Sequence, residues 1–251
     1  MPPRFFVDLP LHAAARLQLP AGTARHVQVL RLQPGAALTL FDGLGGEWAA
    51  TVTRMGRSDV SVELGEHSGV DRELPLALTI ALGMPANERM DALVEKASEL
   101  GVAAIQPLIC ERSVLRLSGE RAQKKVAHWQ AVIVSACEQS GRTRVPPVAA
   151  VQTLAQWVAE LPPRGADEAR WLLSLVDAQP VAGMASAAPR SVLCLSGPEG
   201  GLSSAEEAIA RAAGFIPVSL GARVLRADTA PLAVLAHLAC VSAQVQNQPS
   251  T

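Results

Sequence analysis

Apolar runs alternate with helical patterns from residue 76 onwards, and this alternation most constrains the fold. A continuous apolar run is typical of a strand that is buried on both faces. Strands that alternate with helices predict a parallel sheet covered by helices on both sides, which is an α/β architecture. Five such strands are predicted, over residues 76–82, 102–109, 171–176, 192–195 and 215–220.

Two long helices are predicted, one after each of the first two strands. Asn87 is placed to cap a helix whose apolar residues follow the helical period, and Gly101 ends it. The second helix is expected over residues 118–140, and Gly141 ends it.

The N-terminal part has a different pattern, that of short strands joined by turns. Apolar residues at 37–41 and 48–53 flank a glycine-rich turn, which predicts a β-hairpin, and residues 59–64 alternate with period two. We therefore predict a small β-barrel domain over residues 1–70 and an α/β domain over residues 74–251, with a polar boundary between them.

The composition is that of an ordinary globular protein, with 49% apolar and 18% charged residues in a chain of 251. No apolar run has the length of a membrane span and no signal-peptide core is present, so we expect a cytoplasmic protein without a membrane partner. The four cysteines are far apart, and no His/Cys pair has zinc-ligand spacing. We expect no metal.

The charges are unevenly distributed, although the formal net charge is only −1. Residues 110–145 contain seven basic residues and three acidic ones. A basic segment of this kind can follow the phosphate backbone of a nucleic acid. A solvated helix face would have the same composition, so both interpretations remain open here.

A glycine-rich loop at residues 197–201 follows the predicted strand 192–195 and precedes a helix start. Open α/β sheets bind ligands where strands end in such loops, and glycines leave the backbone bare for direct contact. The carboxylate of Glu199 would repel a phosphate, so the loop favours a ligand that is cationic or neutral at its reacting end. A tight structural turn is the alternative.

The helix that follows this loop has a clear start signal. Ser203 with Glu206, or Ser204 with Glu207, has the pattern of a capping box. Either pair would begin the helix directly after the loop.

A second strand–loop–helix pattern occupies residues 215–230, and Thr229 or Asp228 can cap its helix. Because the carboxyl ends of parallel strands meet at one edge of a sheet, the two loops predict one pocket with two walls. Bare backbone would supply hydrogen bonds of the kind that adenine accepts and donates. Apolar surface would come from Leu195, Leu220, Val224 and Leu225.

The two loops, at residues 195–203 and 220–230, resemble those of the bacterial 16S ribosomal RNA uridine-N3 methyltransferases of the SPOUT superfamily. The resemblance covers nearly the whole chain. Further matching segments lie at residues 26–31, 88–101, 111–113 and 136–142. Two positions depart from the family pattern: residues 84–87 lack its basic residue and glycine, and Asp228 stands where glutamate is usual.

The resemblance implies a PUA-like, RNA-binding β-barrel at the N-terminus and a SPOUT-type parallel sheet with a C-terminal trefoil knot. It also implies the cofactor S-adenosylmethionine, a homodimer, and 16S rRNA within the small ribosomal subunit as the substrate. The cofactor residues that it implies are Leu175, Leu195, Ser196, Gly197, Pro198, Gly200, Gly201, Ser219, Leu220, Gly221, Val224, Leu225, Arg226, Thr229 and Ala230. The expected RNA contacts are Arg4, His26, Arg31, Arg112, Arg116, Lys124 and Lys125.

Methylation at uracil N3 requires the loss of a proton, so a base, or a cation that stabilises the uracil anion, would help. We predict Glu138 and Arg142 for these roles, with Arg226 and Asp228 as the second choice. For Glu138, a hydrogen bond or salt bridge at the helix end is the alternative. At the level of function, two alternatives remain open: a SPOUT enzyme that modifies a ribose 2′-hydroxyl or a tRNA base, and an RNA-binding module without enzymatic activity.

Overall fold

The computed structural model describes residues 2–184 and 189–246 of the chain. The chain divides into two compact units. The first unit comprises Met1–Glu73 together with Val134–Val145, and the second comprises Leu74–Ile133 and Pro146–Thr251. The division into an RNA-binding domain and a catalytic domain stays a prediction.

The first unit is built on a mixed five-stranded sheet in the order β1-β3-β4-β5-β2. Strands β1 and β3 are parallel, and the other neighbours are antiparallel. The predicted hairpin is confirmed, because Ala37 pairs with Thr51 across β3 and β4. The strands are β1 (Arg4–Phe6), β2 (Arg16–Gln18), β3 (Ala37–Phe41), β4 (Glu47–Met55) and β5 (Val60–Ser68).

A short helix, α1 (Ala21–Val29), lies between β2 and β3 and was not expected from the sequence. It buries only Ala24 and Val27, and no side chain caps its start. Both features leave a weak helical signal in the sequence. The core of this unit is formed mainly by alternate residues of the strands, among them Leu38, Leu40, Val52 and Val62.

The second unit contains a seven-stranded sheet in the order β10-β12-β9-β11-β6-β7-β8, and every neighbouring pair is parallel. The predicted α/β architecture is therefore confirmed. All five predicted strands are present, and two further strands of two residues each complete the sheet. The strands are β6 (Ala77–Gly83), β7 (Ala104–Ile109), β8 (Gln152–Thr153), β9 (Glu168–Leu173), β10 (Gln179–Pro180), β11 (Ser191–Ser196) and β12 (Ile216–Ser219).

Five helices accompany this sheet in the described chain: α2 (Asn87–Glu99), α3 (Gly119–Ser140), α4 (Leu154–Glu160), α5 (Ser204–Ala212) and α6 (Thr229–Gln246). The prediction that Asn87 caps α2 is wrong, because Ala86 is the N-cap and Asn87 is the first residue of the helix. Helix α3 buries Trp129, whose indole N–H donates to Asp91 Oδ1 of α2 at 2.9 Å. In the part of the chain that the structure describes, no helix has both the length and the apolarity needed to cross a membrane.

Three of the four cysteines are buried, and only Cys240 is exposed. Burial raises the pKa of Cys110 and of Cys194 to about 12, and that of Cys137 to about 11. These thiols are therefore protonated at neutral pH and pack as small apolar groups.

A buried arginine, Arg4, joins the first strand of the first unit to the end of α3. Its guanidinium pairs with Glu47 and donates to the backbone carbonyls of Gly141 and Arg142, both at 3.1 Å. Burial raises the pKa of Glu47, but the hydrogen bonds and charges of Arg4 and Arg72 outweigh it and lower the pKa overall. This carboxylate therefore stabilises the fold at neutral pH, and that contribution falls as the pH drops through its lowered pKa.

We expect Arg4→Ala to lower the free energy of unfolding by about 3–5 kcal/mol, because it leaves buried polar groups without their partner. Arg16→Ala is the matched control in the same unit, since Arg16 and Glu63 form an exposed pair. The control should cost about 1 kcal/mol or less. Urea unfolding followed by circular dichroism measures the free energy of unfolding of both variants. An equal decrease in Arg4→Ala and Arg16→Ala would contradict the structural role of Arg4.

Candidate functional site

A cavity of about 590 Å³ in the second unit lies at the carboxyl ends of three neighbouring strands, β12, β9 and β11. This is where parallel α/β sheets place ligands, because the loops that leave the strands diverge there. Twelve of the predicted cofactor residues line it: Leu175, Ser196, Gly197, Pro198, Gly200, Gly201, Ser219, Leu220, Val224, Leu225, Arg226 and Ala230.

Three other predicted cofactor residues do not line this cavity. Leu195 is fully buried in the core of the second unit. Gly221 has a φ of +105°, so it supplies the conformation of the second loop without facing the cavity. Thr229 is the first residue of α6 and is exposed.

The first wall of the cavity is a hydrogen-bonded turn. The N–H of Gly201 donates to the carbonyl of Pro198 at 2.8 Å, and Gly201 has a φ of +68°. A Cβ on Gly197 would lie 2.8 Å from the backbone nitrogen of Leu202, so the chain can return this tightly only through glycine. The turn then leads directly into α5.

The start of α5 decides between the two predicted capping boxes. The Ser203 hydroxyl accepts the N–H of Glu206 at 3.3 Å, and the Glu206 carboxylate accepts the N–H of Ser203 at 2.9 Å. The Ser203–Glu206 box is therefore confirmed. The other carboxylate, that of Glu207, instead accepts a hydrogen bond from the Ser174 hydroxyl at 3.2 Å.

The turn rests on residues that are distant in sequence. A Cβ on Gly83, at the end of β6, would lie 2.5 Å from Cδ and 2.6 Å from N of Pro198. The Glu199 carboxylate accepts the N–H of Ala86 at 3.0 Å and lies 3.8 Å from the guanidinium of Arg89. The segment after β6 therefore holds the turn in place.

Charges of both signs face the cavity. Two carboxylates, Glu199 and Glu207, and three arginines, Arg89, Arg223 and Arg226, are among the lining residues. No cluster of metal-ligating side chains occurs within the described ranges. The cavity therefore combines bare backbone, apolar surface and mixed charge, which suits an organic ligand that carries charges of its own.

Several lining residues were missed by sequence reasoning, among them Arg89, Ser174 and Glu207. They come from α2, from the loop after β9 and from the first turn of α5, and only the order of the strands brings them together. The sequence identified Glu207 only as a possible helix-capping residue, and a capping pattern does not show that a side chain lines a cavity.

The predicted catalytic pair lies in the first unit and does not line the cavity. Glu138 accepts the backbone N–H of Phe6 at 2.9 Å, and its second oxygen lies 3.8 Å from Nδ1 of His26. Burial raises the pKa of Glu138. Arg142 is buried and forms a bidentate ion pair with Glu73. Their catalytic roles stay predictions.

The second-choice pair lies on the loop that forms the other wall of the cavity. Arg226 lines the cavity and is exposed. One carboxylate oxygen of Asp228 is buried and has no hydrogen-bond partner among the described residues. A buried acceptor without a donor is uncommon in a folded protein, so this oxygen is unusual among the buried polar atoms.

The predicted RNA contacts differ in their surroundings. Arg4 is buried, as described above, whereas Arg31 is exposed and has a φ of +56°. His26 is half-exposed, and its ring packs edge-on against Phe5 with centroids 5.2 Å apart.

The predicted contacts in the basic segment are also engaged locally. Lys124 pairs with Glu120 at 2.7 Å, and Arg116 donates to the carbonyl of Glu111 at 2.7 Å. Arg112 donates to carbonyls of the glycine-rich turn, and Lys125 is half-buried. These contacts do not test whether any of the residues binds RNA, so the RNA assignments stay predictions.

Comparison with known proteins identifies the family. The sequence model of the RNA methyltransferase domain family matches residues 72–239, and that of the RNA methyltransferase PUA domain matches residues 19–65. The ribosomal RNA small subunit methyltransferase E of Synechocystis is 37% identical over 214 residues, which cover 84% of this chain and 68% of that protein. The chain belongs to the ribosomal RNA small subunit methyltransferase E family.

Solved structures agree with this assignment. The crystal structure of a ribosomal RNA small subunit methyltransferase E from Neisseria gonorrhoeae, bound to S-adenosylmethionine, has a TM-score of 0.90 at 37% identity and covers 96% of this chain and 98% of its own. A putative methyltransferase from Legionella pneumophila, also in complex with S-adenosylmethionine, has a TM-score of 0.89 at 33% identity with the same coverage. The predicted SPOUT-type fold with an N-terminal PUA-like domain is confirmed, whereas the knot and the dimer stay predictions.

We expect Gly83→Ala to lower the free energy of unfolding by about 1–3 kcal/mol, because the new methyl group would overlap Pro198. Gly165→Ala is the control in the same unit, since its Cβ would make only an ordinary contact, 3.9 Å from Glu168. Urea unfolding followed by tryptophan fluorescence compares the two. A Gly83→Ala protein as stable as the control would contradict the close approach.

Proposed function

We propose that the cavity of the second unit binds S-adenosylmethionine and that the protein methylates N3 of a uridine in 16S rRNA of the small ribosomal subunit. The observation that carries the proposal is the cavity itself, in which the loops that leave three neighbouring parallel strands, β12, β9 and β11, bring together twelve of the predicted cofactor residues. The names of the family relatives support small-subunit rRNA as the substrate, and two solved relatives hold the cofactor.

The residues present fit this cofactor. A volume of about 590 Å³ is within the range of small-molecule sites. Leu220, Val224 and Leu225 offer apolar surface for the adenine ring, and the bare turn offers backbone groups for its polar edge. The carboxylates of Glu199 and Glu207 complement the positive charges of the sulfonium and the amino group.

When bound, the cofactor would supply a methyl group activated by its sulfonium, and the neutral thioether would be the leaving group. The chain then needs to align the uracil nitrogen with that group. Alignment alone lowers a barrier by up to about 7–11 kcal/mol. The stiff turn of the first wall serves this task, because its backbone is fixed by hydrogen bonds and by the contact with Gly83.

The chain also has to accept the proton of uracil N3. We favour Asp228 as the base that accepts this proton and Arg226 as the cation that stabilises the uracil anion, because Arg226 lines the cavity and Asp228 keeps a buried oxygen without a partner in the described chain. The raised pKa of Glu138 also suits a base, because its conjugate acid is weaker than an ordinary carboxylic acid. We assign Arg142 to the ion pair with Glu73 rather than to the reaction.

RNA would be held by exposed or half-buried basic side chains, with Arg31 and His26 in the first unit and Arg116, Lys124 and the half-buried Lys125 in the second. Such contacts position the substrate through its phosphates and do not specify its sequence. The homodimer implied by the resemblance belongs to this proposal as well.

Isothermal titration calorimetry with S-adenosylmethionine and, separately, with ATP tests the cofactor assignment. We expect the first ligand to bind and the second not to, because Glu199 disfavours a polyphosphate at the turn. If neither ligand binds, with or without RNA, the enzymatic proposal fails and an RNA-binding module becomes the better interpretation.

The target is tested by incubating the protein and cofactor with unmethylated small subunits or with free 16S rRNA. N3-methyluridine has lost its base-pairing N–H, so reverse transcription should stop next to the modified uridine. A ribose 2′-O-methyl product, or methylation of tRNA alone, would replace the proposal with the corresponding alternative.

Substituting the base should slow turnover by about 10²–10⁴-fold and leave cofactor affinity unchanged. Single-turnover methylation with Asp228→Asn and with Glu138→Ala identifies which carboxylate accepts the proton. If Glu138 is the base, it must be ionised to accept the proton, so the methylation rate should rise as the pH increases through the raised pKa of Glu138. This pH dependence should be absent in Glu138→Gln. Unchanged turnover in both Asp228→Asn and Glu138→Ala would rule out a carboxylate base at these positions.

A further inference from the structure

Arg112 lies in the basic segment that the sequence assigns to RNA, yet its side chain reaches the glycine-rich turn. Its Nη1 atom donates to the backbone carbonyls of Gly200 at 3.1 Å and of Leu202 at 3.2 Å. One nitrogen with two N–H groups therefore bridges the two carbonyls on either side of Gly201.

The stem of the same side chain covers the turn. A Cβ added to Gly200 would lie 3.1 Å from Cβ and 3.6 Å from Cδ of Arg112. The peptide between Gly200 and Gly201 is thereby fixed at both ends, because its carbonyl accepts from Arg112 and its N–H donates to Pro198. Gly200 and Gly201 line the cavity, so the orientation of this peptide sets the backbone groups that face a ligand.

The segment that carries Arg112 is itself anchored. The Ser113 hydroxyl accepts the N–H of Cys110 at 2.9 Å, directly after β7. The N–H of Glu111 donates to the Glu206 carboxylate at 2.8 Å, and Glu206 also completes the capping box of α5. Arg112 thus extends from a fixed point to the turn.

We propose that Arg112 is a positioning residue for the cofactor loop: it sets the affinity for S-adenosylmethionine by holding the Gly200 and Leu202 carbonyls. Glycines make this loop permissive, because they restrict the backbone less than any other residue. The two hydrogen bonds from Arg112 therefore hold the loop in one conformation before the ligand binds, which lowers the entropic cost of binding. The inference rests on the proposed function, since it concerns the same cavity.

The substitutions Arg112→Ala and Arg112→Lys separate this role from an RNA contact. Loss of two hydrogen bonds from a charged donor should weaken S-adenosylmethionine binding by about tenfold or more in Arg112→Ala. Lysine keeps the charge that a phosphate needs but lacks the planar fork, so Arg112→Lys should recover only part of the cofactor affinity. Arg121→Ala, an exposed arginine of the same segment, is the matched control and should bind the cofactor as the unsubstituted protein does.

Calorimetry with S-adenosylmethionine and steady-state methylation provide the readouts, with circular dichroism to confirm folding. We expect the KM for S-adenosylmethionine to rise in Arg112→Ala, with kcat at saturating cofactor and the KM for RNA nearly unchanged. An unchanged cofactor affinity, or a raised KM for RNA that lysine fully restores, would overturn the inference. If the unsubstituted protein binds no S-adenosylmethionine, the proposed function itself fails, which is a distinguishable result.

Discussion

The close approach of Pro198 to Gly83 is the constraint on which the cavity depends. Strands β6 and β11 are parallel neighbours, so the residues that leave them meet at the same edge of the sheet. Because Gly83 has no side chain, the backbone of Pro198 can lie directly on the end of β6. From there the carboxylate of Glu199 reaches the N–H of Ala86, and the chain turns back into α5.

The central strands could be predicted from the sequence because they are buried on both faces and therefore read as uninterrupted apolar runs. The edge elements could not. Strand β2 (Arg16–Gln18) is mostly exposed, and β8 (Gln152–Thr153) and β10 (Gln179–Pro180) have two residues each. Elements this short carry no periodicity of their own, and their pairing partners decide whether they form.

The glycine-rich walls of the site could also be predicted, because glycine spacing after a strand is a local signal. Some of the charged side chains that line the cavity beside those walls come from helices outside the two loops. Arg89 and Glu207 reach the cavity only through the packing of α2 and α5. A sequence likewise shows that a residue is charged but not that it is buried, and so Arg4 and Arg142 resemble surface arginines until their partners are known.

The distribution of the cysteines has a practical consequence. In the folded chain only Cys240 presents its thiol to solvent, whereas Cys137 is enclosed in the first unit and Cys110 and Cys194 in the second. Alkylating reagents attack thiolates, which are scarce at these buried, high-pKa sites. Under partial denaturation, the order in which the three buried cysteines are alkylated therefore shows which of the two units unfolds first.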